Sequence, residues 1–347
     1  MSGVPMRVAF DVACLSQSRT GTARVARGLL GALRGGEDVE ILQIGDGEFR
    51  ERGSNAQRLS ALHQDVAWYA GGGAMRAARR AGAQVAHFPT YRGPVRESAP
   101  PTVVTVLDLA VLREPAWFTA WARLHARASM PATVRAAAHV IAISRQTADD
   151  VVSLLGVPAS RVSVVECGID ALFSGPAGSP PDGPPYLLGV ATPEPRKNLD
   201  RLLAAFELAR ARGGPERLVL VGADGWGVTR LQPQPGVEFR GRVSDEELRD
   251  LYAGAQALVY PSLWEGFGLP VGEALAAGCR VVCSNLPVLR EVVGEHATYV
   301  NPNLPESIAE GIERALAQPS PAPSRQLTWE RAAKLTTEIW REVAERR

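Results

Sequence analysis

The chain has 347 residues, 46% apolar and 22% charged, with a formal net charge of +1. That is the composition of an ordinary soluble globular protein of about two domains, and the balanced charge excludes a partner recognised through a strongly basic surface, such as nucleic acid. No apolar run is long enough to span a bilayer and MSGVPMRVAFDV enters a strand directly, so neither a membrane span nor a secretory leader is expected.

In chain order, MRVAFDV, VEILQI, VAHF, VVTVLDL, HVIAIS and VSVVECG read as strands, with helices near 20–34, 70–82, 115–137 and 145–155. Near-continuous apolar strands alternating with helices predict a parallel sheet covered on both faces. Within the third helical segment, EPAWFTAWARLHARASM mixes aromatics with arginine. Trp117, Trp121, Leu124 and Ala128 recur at helical spacing, which predicts a core-facing stripe in preference to a membrane-surface face for a lipid-linked acceptor. The five histidines are scattered and expected to be structural, although His87, in VAHF, is expected to face a cleft.

The stretch SGPAGSPPDGPP, residues 174–185, reads as a linker. After it the alternation restarts with strand YLLGVA, helix NLDRLLAAFELARAR, strands RLVLVG and VEFRG, and a helix over 245–254. Strand ALVYPS, a helix after Pro270 and strands RVVCSN and ATYVNP follow. The proline-rich QPSPAPS precedes a last helix, LTWERAAKLTTEIWREVAERR. The expected domains are 1–175 and 183–320, both doubly wound and Rossmann-like, leaving a cleft between them. Ligands of such sheets sit at the C-terminal ends of the strands.

Cys14, Cys167, Cys279 and Cys283 lack zinc-type pairing, and the last two flank RVV, where core packing is expected. A reduced, cytoplasmic protein follows.

Residues 261–279 read PSLWEGFGLPVGEALAAGC, placing Glu265 on a glycine-rich loop and Glu273 in or near the first turn of the next helix. Pro270 suits the start of that helix and Gly278 its end. The loop and helix start offer N–H groups to an anion, and glycine lets a ligand approach the backbone. Carboxylates beside a phosphate fit best as acceptors from hydroxyls, and phosphate flanked by hydroxyls describes a nucleotide sugar. The plainer reading is a strand–turn–helix connection in which Glu273 complements the helix dipole. Arg196 and Lys197, in TPEPRKN after strand YLLGVA, could neutralise a leaving diphosphate. The plainer alternative is a solvated charged loop with Asn198 capping the helix. No Asp-x-Asp occurs and no acid–histidine cluster has metal-ligand spacing, so side-chain cations and helix N-termini are expected to hold the phosphate without a metal or other cofactor.

EGFGLPVGEALAAGCRVVCSN resembles the E-x7-E donor signature of retaining glycosyltransferases of family 4, which have the GT-B fold. TPEPRKNLDRLLAAF is similar to that family's phosphate-binding loop, VIAISRQTADDVVSLLGVPASRVSVVECGID to the end of its N-terminal domain, and GRVSDEELRDLYAGAQALVYPS to the segment before the donor motif. Ordered motifs from about Val103 onward are more specific together than any one alone. The resemblance implies that Glu273 binds ribose hydroxyls and Glu265 the donor sugar. Backbone at Gly266, Phe267, Gly268 and Leu269 would meet sugar and phosphate, and backbone at Arg242 and Val243 the base. Arg196 and Lys197 would hold the diphosphate. Residues 325–347 would form a helix packing back on the N-terminal domain.

Two departures stand out. The family's His-Asp pair is replaced by Leu107 before Asp108, and leucine cannot donate a hydrogen bond. Asp108 remains a catalytic candidate. Leu107 implies a donor less polar there, such as a 6-deoxy sugar, another residue doing the work, or a damaged enzyme. SQSRTGTARVARGLL is thinner in glycine than the family's usual turn, leaving Gly21 as the candidate beside the donor phosphate. The expected function is metal-independent, retaining transfer of a hexose or deoxyhexose from a nucleoside-diphosphate sugar to a hydroxyl of a small-molecule, glycan or lipid-linked acceptor. Peripheral contact with the inner face of a membrane stays open, as do two alternatives: a catalytically weak nucleotide-sugar binder and an epimerase on the same fold.

Overall fold

The computed structural model describes residues 4–17, 21–36, 38–47, 66–175, 183–223, 234–322 and 327–346. The chain divides into two compact units. One comprises Met1–Arg113, Ala120–Gly168 and Trp329–Arg347, the other Glu114–Thr119 and Ile169–Thr328.

The first unit is built on six parallel strands: β1 (Met6–Asp11), β2 (Val39–Ile44), β3 (Val85–Phe88), β4 (Thr102–Val106), β5 (His139–Ala142) and β6 (Val162–Val164). Their order in the sheet is β2-β1-β3-β4-β5-β6. β3, β4 and β5 are buried at every residue, which is why they read as apolar runs without alternation. The second unit has β7 (Tyr186–Val190), β8 (Arg217–Val221), β9 (Val237–Gly241), β10 (Ala257–Tyr260), β11 (Val281–Ser284) and β12 (Thr298–Val300), ordered β12-β11-β10-β7-β8-β9. Both sheets are parallel and doubly wound, as expected.

Two helices of the second unit were not anticipated, Pro287–Val293 and Pro305–Leu316. Each opens with a proline in its first turn, a start signal readable in the sequence. Pro305–Leu316 buries Ile308, Ala309, Ile312 and Ala315 in one core with Leu199, Leu202, Leu203 and Phe206 of helix Leu199–Ala211.

Helix Trp329–Glu345 groups with the first unit and packs on helix Gly21–Leu33. The indole of Trp329 lies so close to Gly28 that a Cβ there would come within 2.2 Å of it. Further along, Trp340 is fully buried with its ring edge-on to His87 at 5.4 Å. His87 therefore faces no cleft. It is fully buried, within 2.9 Å of the Thr105 hydroxyl, and burial pushes its pKa down to about 3.

The expected core stripe on the third helix is also overturned. Helix Ala120–Ala136 buries Ala126, Met130, Thr133 and Val134, while Trp121 is 58% and Leu124 64% exposed. Ala128 is exposed with them and Trp117 only half-buried. Periodicity located a stripe, but a helix with small residues on its other side can turn that side inward, and spacing does not say which. All four cysteines are free and buried, and burial raises the thiols of Cys14, Cys279 and Cys283 to about 12.

Candidate active site

In the second unit the chain runs from β7 outward through β8 and β9, then returns to the other side of β7 with β10. The loops after β7 and β10 therefore diverge, and the crevice at such a switch point is where doubly wound sheets bind ligands. Both candidate loops lie there. After β7 a tight turn, Pro195–Lys197, leads to Asn198. After β10 comes the loop to Gly268, which precedes helix Leu269–Ala276. The Leu263 N–H donates to the Arg196 carbonyl at 2.7 Å and ties the two loops together.

Glu265 is the hub of this crevice. Its Oε1 accepts from Lys197 Nζ at 2.7 Å and its Oε2 from Arg196 Nη1 at 3.3 Å. Burial alone would raise the Glu265 pKa. Lys197 first, then Arg196, more than offset it and hold the carboxyl at about 2, so it is ionised at neutral pH. Lys197 is only 9% exposed, and burial pulls its ammonium below the usual range against the opposing pull of Glu265. Its Nζ also donates to the Tyr260 hydroxyl at 2.7 Å. Arg196 is braced from its other side by Glu194 Oε1, 2.8 Å away. Two cations thus face two buried carboxylates, which removes the solvated-loop reading.

Asn198 does not cap the helix that follows. It sits at φ 60°, among the described residues the one non-glycine in the left-handed region, and its side chain makes no capping bond. Instead Nδ2 donates to the carbonyls of Pro261 (2.9 Å) and Pro302 (2.7 Å), bracing the loops against each other.

Glu273 is the fifth residue of helix Leu269–Ala276, beyond the first turn, so the dipole reading does not hold. It is 2% exposed, and its Oε2 accepts from the Tyr252 hydroxyl at 3.0 Å. Pro270 stands in the first turn and Gly278 follows the helix at φ 74°. At Gly268 φ is 97°, and a Cβ would lie 2.5 Å from Leu289, so this position requires glycine.

Arg196, Lys197 and Glu265 are thus in direct contact, with Gly266, Phe267, Gly268, Leu269 and Glu273 continuing along the same loop and helix. Arg242 and Val243 follow β9, at the same C-terminal edge of the sheet, before a helix capped by Ser244. Gly21 and Asp108 belong to the first unit. Gly21 is the exposed first residue of helix Gly21–Leu33, and the 18–20 part of its turn lies outside the described residues. Asp108 is occupied locally, Oδ1 accepting from the Ala110 N–H at 3.1 Å. Glu194, Tyr252 and Tyr260 were missed by sequence reasoning. Tyr260 stands directly before the Pro261 that opens the motif, and that adjacency was the available signal. Among the described residues no group of three or more His, Cys, Asp or Glu is arranged to hold a metal ion.

Two family models match consecutive parts of the chain, Glycosyltransferase Family 4 over residues 20–171 and Glycosyl transferases group 1 over residues 176–335. The chain belongs to glycosyltransferase family 4. This family 4 protein is a retaining glycosyltransferase with the GT-B fold. It is 29% identical to O-antigen chain mannosyltransferase B of Escherichia coli over 74% of this chain and 73% of that one. It is 31% identical to the serotype-specific mannosyltransferase WbdA of Escherichia coli over 66% of this chain, spanning only 32% of that longer protein. Sucrose-phosphate synthase from Thermosynechococcus elongatus shares the fold of this glycosyltransferase, with a TM-score of 0.67 at 18% identity over 99% of this chain and 100% of that one.

Proposed function

We propose that this family 4 glycosyltransferase moves a mannosyl residue from a nucleoside-diphosphate mannose to a hydroxyl of a growing glycan, without a divalent metal. The carrying observation is the Arg196–Lys197–Glu265 cluster at the switch point, with Glu273 on the adjoining helix. The relatives named as mannosyltransferases support the choice of sugar. As the bond from anomeric carbon to phosphate oxygen breaks, the diphosphate gains negative charge. Fixed cations in a water-poor site stabilise that charge without reorganising. Lys197 uses two of its three N–H donors within the protein and has the third for phosphate. Glu265 and Glu273, acceptors only, suit sugar and ribose hydroxyls. An acceptor carried on a lipid would place the reaction at the inner face of a membrane, with the protein bound peripherally.

Turnover of nucleoside-diphosphate mannose, as transfer or slow hydrolysis, tests this reading. Lys197→Ala and Glu265→Gln are expected to lower kcat/KM about a hundredfold or more while the fold, followed by circular dichroism, persists. A chelator leaves the rate unchanged. Wild-type turnover in both variants, or strict metal dependence, overturns it. A 6-deoxyhexose donor is the second reading, favoured by Leu107, whose side chain offers no hydrogen bond to a 6-hydroxyl. If wild type turns over nucleoside-diphosphate mannose at least as well as its 6-deoxy counterpart, that second reading falls.

A further inference from the structure

Helix Ala120–Ala136 carries Arg123, Arg127 and Arg135 and no acidic residue. Its buried residues, Ala126, Met130, Thr133 and Val134, occupy one side at 100° per residue. Trp121, Leu124 and Ala128 fall on the opposite side, and all three are exposed, as are Arg127 and Arg135. The His125 ring lies 6.3 Å from the Trp121 indole on the same outward face. Large apolar side chains standing in water on an arginine-bearing, acid-free helix are not explained by packing within this unit.

We propose that this face docks the protein on anionic lipid bilayers, the Trp121 ring and Leu124 entering the interfacial layer while Arg127 meets lipid phosphates, with Arg135, whose Nε donates to the Leu155 carbonyl at 2.7 Å, adding positive charge beside it. Indole rings concentrate at the headgroup level of bilayers, and arginine is drawn to anionic surfaces. The charge pattern selects this occupant over a second copy of the chain, because a two-fold contact through this face would set arginine against arginine. Nucleic acid would call for a more extended basic surface than one helix in a chain of net charge +1. Docking by a single short face is weak and reversible, which suits an enzyme that visits acceptors anchored in the bilayer. The inference deepens the lipid-linked-acceptor part of the proposed function. Vesicle binding needs neither acceptor nor turnover, so either proposal can fail without the other.

The test is co-sedimentation of the full chain with phosphatidylcholine vesicles, with and without phosphatidylglycerol, at low and high salt. Binding is expected with phosphatidylglycerol and to weaken in high salt. Arg127→Glu should weaken it by about fivefold or more. The double variant Trp121→Ala with Leu124→Ser should lose it, while Leu154→Ser, an exposed leucine on another helix, should bind as wild type. Melting temperature and donor hydrolysis should be unchanged in all three variants. Wild type that stays in the supernatant, or a double variant that sediments like wild type, overturns the proposal. So does self-association of the wild type that Trp121→Ala abolishes without any change in vesicle binding.

Discussion

Glu273 is a buried carboxylate whose Oε2 accepts from the Tyr252 hydroxyl. Tyr252 is itself fully buried, its ring edge-on to Phe173 at 5.9 Å, so the hydroxyl is fixed by packing before any ligand arrives. In Tyr252→Phe the ring packing survives and the hydrogen bond to Glu273 is lost. On the proposed role of Glu273 in holding the donor ribose, donor KM should rise about three- to tenfold with kcat little changed, because such binding would be shared by ground and transition states. Steady-state kinetics with varied donor checks this, and a fall in kcat at constant KM would count against Tyr252 as a positioning residue. Arg196, Lys197, Glu265 and Glu273 were legible as candidates from their residue types and loop positions, whereas Glu194 was not. The tyrosines that hold them were not, since Tyr252 lies 21 positions before Glu273 and nothing local marks the pairing.

At the scale of elements, most strands and helices were legible from apolar runs and their punctuation, and helix 245–254 was placed to the residue. The faces of helices were not. The Trp121–Leu124–Ala128 spacing is helical whichever way it points, and the choice was made by Met130 and the small residues that fit against the unit. The seat of the last helix depends likewise on one missing side chain. Gly28 on helix Gly21–Leu33 leaves the space that the Trp329 indole fills. Gly28→Val should expel the indole, with a loss of about 2–4 kcal/mol and a clear fall in melting temperature. Gly28→Val combined with Trp329→Ala should recover part of that loss. Denaturant titrations of the three variants decide, and additive losses would show that the two positions do not share a space.

For the molecule as a whole, stability depends on acid through groups that burial keeps uncharged. His87 has an ordinary value of 6.5 and a folded one of about 3, so the unfolded chain takes up its proton first. A histidine held below its unfolded pKa contributes fully above pH 6.5 and progressively less as pH falls toward 3. Between neutral pH and pH 5 this amounts to about 2 kcal/mol. Wild type should therefore lose stability over that range, and His87→Gln should flatten the slope. The lowered pKa of His139 acts in the same direction and remains in both proteins, so the difference between them isolates His87. Parallel slopes would mean that His87 is not the group responsible.

By itself the sequence determined two doubly wound sheets, their order along the chain and the strand ends that carry Arg196, Lys197, Glu265 and Glu273. Those features follow from local periodicity and from the rule that loops after parallel strands share one edge. Only the tertiary structure decided that Lys197 and Arg196 converge on Glu265, that Glu194 and the tyrosines complete the cluster, that His87 lies under Trp340 and that Trp121 faces water. Each of those depends on residues distant in the chain meeting in space, and such meetings are selected by volume and burial, which leave no period in the sequence to read.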